Sequence, residues 1–193
     1  TGGRMEPNRT HKDFDYCYGS SSLGSCITAQ VARRLGYDPA PPPAFVQGWF
    51  DRGHQHEEEC LAAMDNDWKL GDRQMEYTID CGNRVGVIIH IDALGERVGE
   101  RYQSYVIECK APGTWAKFER AYKTADWSDP LMARYAWQVS AQMVATGLEC
   151  VVACYDGAVR TFGIEVPPFS VTAISIVGDA DVLVKVTSAL PLY

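Results

Sequence analysis

Between Val85 and Lys110 the chain reads VGVIIHIDALGERVGERYQSYVIECK, and this stretch decides the fold. In VGVIIHID (85–92) the residues alternate: Val85, Val87, Ile89 and Ile91 fall on one face, Ile88, His90 and Asp92 on the other. YVIECK (105–110) has the same period, so Glu108 and Lys110 share a face while Ile107 and Cys109 point away. Two runs this rich in β-branched residues, joined by the polar LGERVGER (94–101), predict an antiparallel hairpin. Such a hairpin would gather Asp92, Glu108 and Lys110 on one side of a sheet.

An acidic pair beside a lysine suits metal-dependent hydrolysis of a phosphodiester. Mg²⁺ prefers carboxylate oxygens and keeps several waters. A bound metal supplies a nucleophile from water and offsets charge on the phosphorane, and a lysine can hold or deprotonate that water and stabilise the transition state. The same charges would also sit comfortably on a solvated strand edge.

The 193 residues, 46% of them hydrophobic, suffice for one well-buried domain. We assign it to residues 19–193, behind an N-terminal extension over 1–18 whose residues from Glu6 to Tyr18 read as polar and either extended or loosely ordered. Thr1–Arg4, ahead of Met5, reads as a cloning remnant. A net charge of −7 argues against a generally basic nucleic-acid coat but leaves room for a local basic groove. Seven cysteines without CxxC spacing, and no opening apolar leader, point to reduced thiols in a cytoplasmic compartment. No run approaches the roughly 18 apolar residues of a membrane span.

Along the chain, GSSSLGSC precedes a helix-like run from Ile27 to Gly36, with the serines placed to cap it. Ser21, Ser22, Arg33 and Arg34 there are candidate DNA contacts, since a helix start can receive a phosphate. After the proline linker DPAPPPA (38–44), residues 45–64 read as a helix. On its wheel Val46, Phe50, Gly53, Leu61 and Met64 lie within about 40° of Glu57. Of the three glutamates at 57–59, Glu57 therefore faces inward, where a carboxylate needs a partner or a metal; Glu58 and Glu59 are read as surface charges. A strand over 72–81 should pair with the Asp92 strand. Thr114 is placed to cap a helix through Tyr122 whose cationic side includes Lys117, a further candidate DNA contact. A long helix over 130–146 carries Gln138 and Gln142 and stops at Gly147. ECVVACYD (149–156) reads as a core strand, followed by VRTFGIEV, a strand VTAISIV and a weak helix over 179–190. The fold class is α/β, a central mixed sheet flanked by helices.

From Ser20 to Asp156 this ordered series resembles the phage (lambda-type, YqaJ-like) exonuclease and RecB/Cas4-like branch of the PD-(D/E)xK nuclease superfamily. GHQHEEE (53–59) is similar to the family's first motif, with Glu57 at the position held by glutamate in lambda-type exonucleases. Asp92 matches the family aspartate, and Glu108-Cys109-Lys110 its Glu-x-Lys. The resemblance implies metal on Glu57, Asp92, Glu108 and the carbonyl of Cys109, with Lys110 orienting or activating water and Gln138 supporting it. The metal would be Mg²⁺, with Mn²⁺ able to substitute. RecB-type members continue Gln-xxx-Tyr; here Gln142 takes the tyrosine position, which leans the chain toward the viral branch. SSSLGSC resembles the start of Cas4-like chains, whose cysteine, here Cys26, ligates an iron–sulfur cluster. Cys150 and Cys154 are too few companions for one, so no cluster is expected.

The implied activity is a Mg²⁺-dependent DNA nuclease, a 5′→3′ exonuclease of recombination or DNA processing, in the bacterial host cytoplasm if viral. Its partners would be DNA, a single-strand annealing or recombination protein, and copies of itself in a ring trimer. Three alternatives stay open. One is a structure-selective or restriction-type endonuclease on the same core. Another is a nuclease-fold protein that binds without cutting. The third is a Zn²⁺-binding domain using His54, His56 and His90 with the acids.

Overall fold

The computed structural model describes residues 14–24, 30, 41, 43–81, 84–100 and 103–169 (of Trp49, the backbone only). Its centre is a mixed six-stranded sheet with helices against it. The strands are β1 (Tyr16–Gly19), β2 (Trp68–Asp80), β3 (Val85–Arg97), β4 (Ser104–Cys109), β5 (Glu149–Tyr155) and β6 (Val159–Ile164). The helices are α1 (Ala44–Met64), α2 (Pro112–Thr124) and α3 (Pro130–Thr146), and a single 3-10 turn, Ser20–Ser22, follows β1.

β3 organises the sheet. β2 runs antiparallel along it from Gly86 to Arg97, occupying one edge. The other edge must then be shared: β1 lies parallel against Val85–Ile88, and β4 antiparallel against Ala93–Glu96. Between them Ile89–Asp92 form a fork, with no strand on that edge among the described residues. β5 extends the sheet parallel to β4, and β6 closes it antiparallel to β5.

Both faces are covered, which is why β5 is buried from Cys150 to Cys154 instead of alternating. Cys150, Val152 and Cys154 join Val85, Val87, Ile89 and Ile91 in one core cluster with Trp115 and Phe118 of α2 and Met132 and Trp137 of α3. Val151 and Ala153 join Ala93 and Ile107 in a second cluster, under Cys60, Leu61 and Met64 of α1. An even pleat would keep Ile91 and Ala93 in one cluster. They fall in different ones, so the strand rolls over at Asp92, within the fork.

Several local signals act as expected. Asp129 caps α3 by accepting from the amides of Leu131 (2.9 Å) and Met132 (3.4 Å), and Pro130 opens the helix. Gly147 ends it in the left-handed conformation. The hairpin of β3 and β4 is antiparallel.

Other expectations need correction. Of the two readings for the residues before Gly19, extended holds for Tyr16–Tyr18, but they are no separate extension: Phe14 and Tyr18 are buried and β1 belongs to the sheet, its four residues too short to give a periodic signal. Ser20–Ser22 form the 3-10 turn, with Ser22 Oγ donating to Gly19 O (2.7 Å), instead of capping a helix. β2 begins at Trp68, not Asp72, because it crosses a bulge between Leu70 and Arg73. β3 runs on to Arg97, so the turn begins at Val98 and Leu94–Arg97 are strand. Ala111 precedes α2 and Pro112 opens it; Thr114 sits in the first turn and donates to Ala111 O (2.9 Å). On α1 only the last turn packs as the wheel predicts: Leu61 and Met64 are buried, while Phe50 and Gly53 are exposed. The Ile27–Gly36 helix (apart from Gln30), most of the proline linker, and the elements after Phe169 lie outside the described residues. Among the described residues no helix is long and apolar enough to cross a membrane.

Candidate active site

Glu108 occupies the penultimate position of β4 and is almost fully buried. Its carboxylate is held by three donors. Oε1 accepts from Lys110 Nζ and from Gln138 Nε2 (2.9 Å), and Oε2 from Gln142 Nε2 (2.5 Å). Lys110 leaves the strand tied by its amide to Ala153 O of β5 (2.8 Å). Its ammonium also donates to Gln138 Oε1 (3.3 Å) and lies 4.3 Å from the centre of the Tyr135 ring. Tyr135, Gln138 and Gln142 are spaced i, i+3, i+7 on α3, so one helical stripe cradles the buried ion pair.

Asp92 joins from the fork of β3. Its Oδ2 accepts the amide of Cys109 (2.7 Å), which links residue 109 to the acids through its backbone. The Cys109 thiol packs with Cys60 of α1, and the neighbouring thiol, then burial, pushes it above the usual thiol range. Glu57 comes from α1, half-buried, with Gln74 of β2 donating to its Oε1. Gln74 adopts a left-handed φ of 52° beside the β2 bulge, a conformation rare for a residue with a side chain and one found where a structure over-determines the backbone.

These groups feel one another. Burial pushes Asp92 well above the ordinary carboxylate range, and the charges of Glu108 and Glu57 push it further. Burial raises Glu57 too, followed by the charge of Glu108. For Lys110 burial acts to lower the pKa, but contact with Glu108, then Asp92 and Tyr135, outweighs it and the value is raised. Fully ionised, Glu57, Asp92 and Glu108 against one ammonium would leave two negative charges, the deficit a divalent cation would fill. Their oxygens suit Mg²⁺ in kind. Among the described residues no three Asp, Glu, His or Cys side chains stand as a finished metal cage. The physical reason is visible in the hydrogen bonds: protein donors hold each carboxylate.

The five residues expected to be catalytic, Glu57, Asp92, Glu108, Lys110 and Gln138, are thus brought together. The outer candidates are not. Lys117 is exposed on α2 and makes none of these bonds. Ser21 is exposed, its carbonyl accepting from Arg134 (3.0 Å). Arg33, Arg34 and Cys26 lie outside the described residues. Each histidine of the zinc alternative faces a different carboxylate, His54 Glu57 (3.9 Å), His56 Glu59 (3.7 Å) and His90 Glu76 (3.8 Å), so they form no common site. Glu58 pairs with Arg73 at the surface. Cys150 and Cys154 are buried in the core as small apolar residues.

Sequence reasoning gave Gln142 no role beyond a departure from a motif, and passed over Gln74 and Tyr135. The spacing of Tyr135 and Gln142 from Gln138 was the available signal. For Gln74 the sequence offered none. Compared with known proteins, the chain matches no protein-family model and no curated protein sequence.

Proposed function

We propose that the chain is a Mg²⁺-dependent deoxyribonuclease, and within that class a phage-type 5′→3′ exonuclease of recombination or DNA processing. The observation that supports it is the convergence on the Lys110 ammonium of Glu57, Asp92 and Glu108, drawn from α1, β3 and β4. The same set carries the resemblance to PD-(D/E)xK nucleases.

Glu57, Asp92 and Glu108, with the carbonyl of Cys109, would hold the cation, which when bound polarises the attacking water and offsets charge on the phosphorane. The protein's own part follows from the network. Lys110 is held as an ammonium by Glu108, so it donates: it orients the water and stabilises the phosphoryl oxygens, and does not accept the proton. Gln138 binds both Glu108 and Lys110, which fixes the orientation of the ion pair.

The test is cleavage of end-labelled linear DNA beside covalently closed circular DNA, with Mg²⁺ or EDTA. The native chain should degrade linear DNA only with Mg²⁺. Asp92→Asn and Lys110→Ala should each lower kcat by about 10²-fold or more. Asp92→Asn is the cleaner of the two, because Lys110→Ala leaves a buried carboxylate without its charge partner, a change of about 3–5 kcal/mol in stability. Cutting of the closed circle would make it an endonuclease. Cleavage in EDTA, or undiminished in Asp92→Asn, would end the reading.

A further inference from the structure

Of the polar side chains that α3 buries, Ser140, Gln142 and Thr146, Gln142 bonds an acid of the site yet has no part in the chemistry above. Gln142 is 0% exposed, and both its hydrogen bonds leave from Nε2, to the carbonyl of His90 (3.0 Å) and to Glu108 Oε2 (2.5 Å). Its Oε1, equally buried, accepts from no group among the described residues. Turning the amide over would set that oxygen against two acceptors, so the orientation follows from chemistry. An open acceptor in a core is unfavourable, and packing alone would favour an apolar side chain here. What the glutamine supplies is two N–H bonds made at once.

The two acceptors belong to different strands. His90 lies in the fork of β3, two residues before Asp92, where β1 has ended and β4 has not begun. Glu108 is the acid of β4. One amide therefore fastens the backbone leading to Asp92 to the carboxylate of Glu108, across the gap the strands leave. Gln138 differs, because it shares its acceptor oxygen with Lys110 and would disturb the ammonium if lost.

We propose that Gln142 is a positioning residue that sets the separation of Asp92 and Glu108, and through it the affinity of that pair for a divalent cation. This rests on the nuclease reading and deepens it: Gln142 contacts the acid and the β3 backbone, so its loss should appear in cation dependence and not in DNA affinity.

The experiment compares the native chain with Gln142→Met, which keeps the bulk and removes the donors, and Gln142→His, which keeps a ring N–H. Rates on linear DNA are measured across Mg²⁺ concentrations, together with the Mg²⁺-induced rise in Tm without DNA. Gln142→Met should raise the half-saturating Mg²⁺ about 10- to 100-fold and shrink the Tm rise, with KM for DNA within about 2-fold of native. Gln142→His should recover part of that shift. A native Mg²⁺ dependence in Gln142→Met overturns the proposal. So does a loss that only tracks the unfolded fraction, with Gln142→His no better. Should Gln142→Met not fold, Gln142→His decides, because one ring N–H can serve only one of the two acceptors: a raised half-saturating Mg²⁺ with KM for DNA near native supports the role, and a native Mg²⁺ dependence overturns it. If neither folds, Gln142 is a folding residue and the role falls. A native chain that neither binds Mg²⁺ nor cuts removes the nuclease reading and this proposal with it. A native chain that does both while Gln142→Met matches it removes only the second.

Discussion

At Asp92 burial pulls against the metal-binding role proposed for it. Its carboxyl is raised first by burial and then by Glu108 and Glu57, with the Cys109 amide and Lys110 opposing. Without metal, the folded chain therefore retains protons at Asp92 and Glu57 that an unfolded chain releases in the ordinary carboxyl range. The stability tied to these two groups is fully present below that range and is lost as pH rises through their raised folded values. In EDTA the native chain should lose Tm across that window relative to Asp92→Asn. The variant keeps an oxygen for the Cys109 amide and removes a charge, so at neutral pH without metal it should be the more stable protein, by roughly 2–4 °C for each kcal/mol relieved. With Mg²⁺ the order should reverse, because only the native chain gains from binding. Melting curves of both proteins between pH 4 and 8, with EDTA and with Mg²⁺, check the sign; a native chain that melts higher in EDTA at neutral pH would show Asp92 to be unstrained. The sharing of one face by Glu108 and Lys110 was legible because alternation along β4 is a local property; the approach of Asp92 to them was not, because even alternation along β3 would have turned it to the face opposite Ile91. The bond from the Cys109 amide to Asp92 was not, because it depends on the strand rolling over inside the fork.

Among the elements, α3 and β5 were readable to within a residue. α3 carries its own stop and start chemistry in Asp129, Pro130 and Gly147, and β5 is an apolar run between polar ends. β1 and the 3-10 turn were not, since neither is long enough to have a period and both are held by distant partners. Gly24, just after that turn, shows how tightly. It adopts a φ of +69°, and a methyl group there would stand 2.4 Å from Cδ1 of Trp137. That ring is nearly buried and stacked on Phe169 at 4.5 Å, so it has little room to yield. Gly24→Ala therefore combines a left-handed backbone, unfavourable by about 1–2 kcal/mol for a residue with a side chain, with overpacking of about 1–3 kcal/mol. The expected outcome is a Tm lower by roughly 4–20 °C, with loss of near-ultraviolet tryptophan dichroism from Trp137. An unchanged melt would mean that the turn does not seat against α3.

At the scale of the molecule, the site is assembled from parts of the chain that meet only when the sheet is complete: α1 supplies Glu57, β3 Asp92, β4 Glu108 and α3 the two glutamines. β1 matters here although it contributes no acid. It occupies the half of the β3 edge that β4 leaves free, along Val85–Ile88, and it inserts Tyr18, 2% exposed, into the cluster beneath α3. A chain beginning at Ser20 would lose this strand. It would leave Val85–Ile88 without a ladder partner on that edge and open a cavity where an aromatic side chain had packed, the latter alone about 3–5 kcal/mol by analogy with large-to-small core changes. Its melt should fall by at least roughly 6–12 °C or lose cooperativity, and with it the Mg²⁺-induced rise in Tm, because the fork that presents Asp92 is bounded by β1 on one side. A chain beginning at Phe14 keeps β1 and is the control against which the shorter chain is measured. If the shorter chain melts and binds Mg²⁺ like the control, residues 14–19 are an appendage after all, and the fork is held open by β4 and α3 alone.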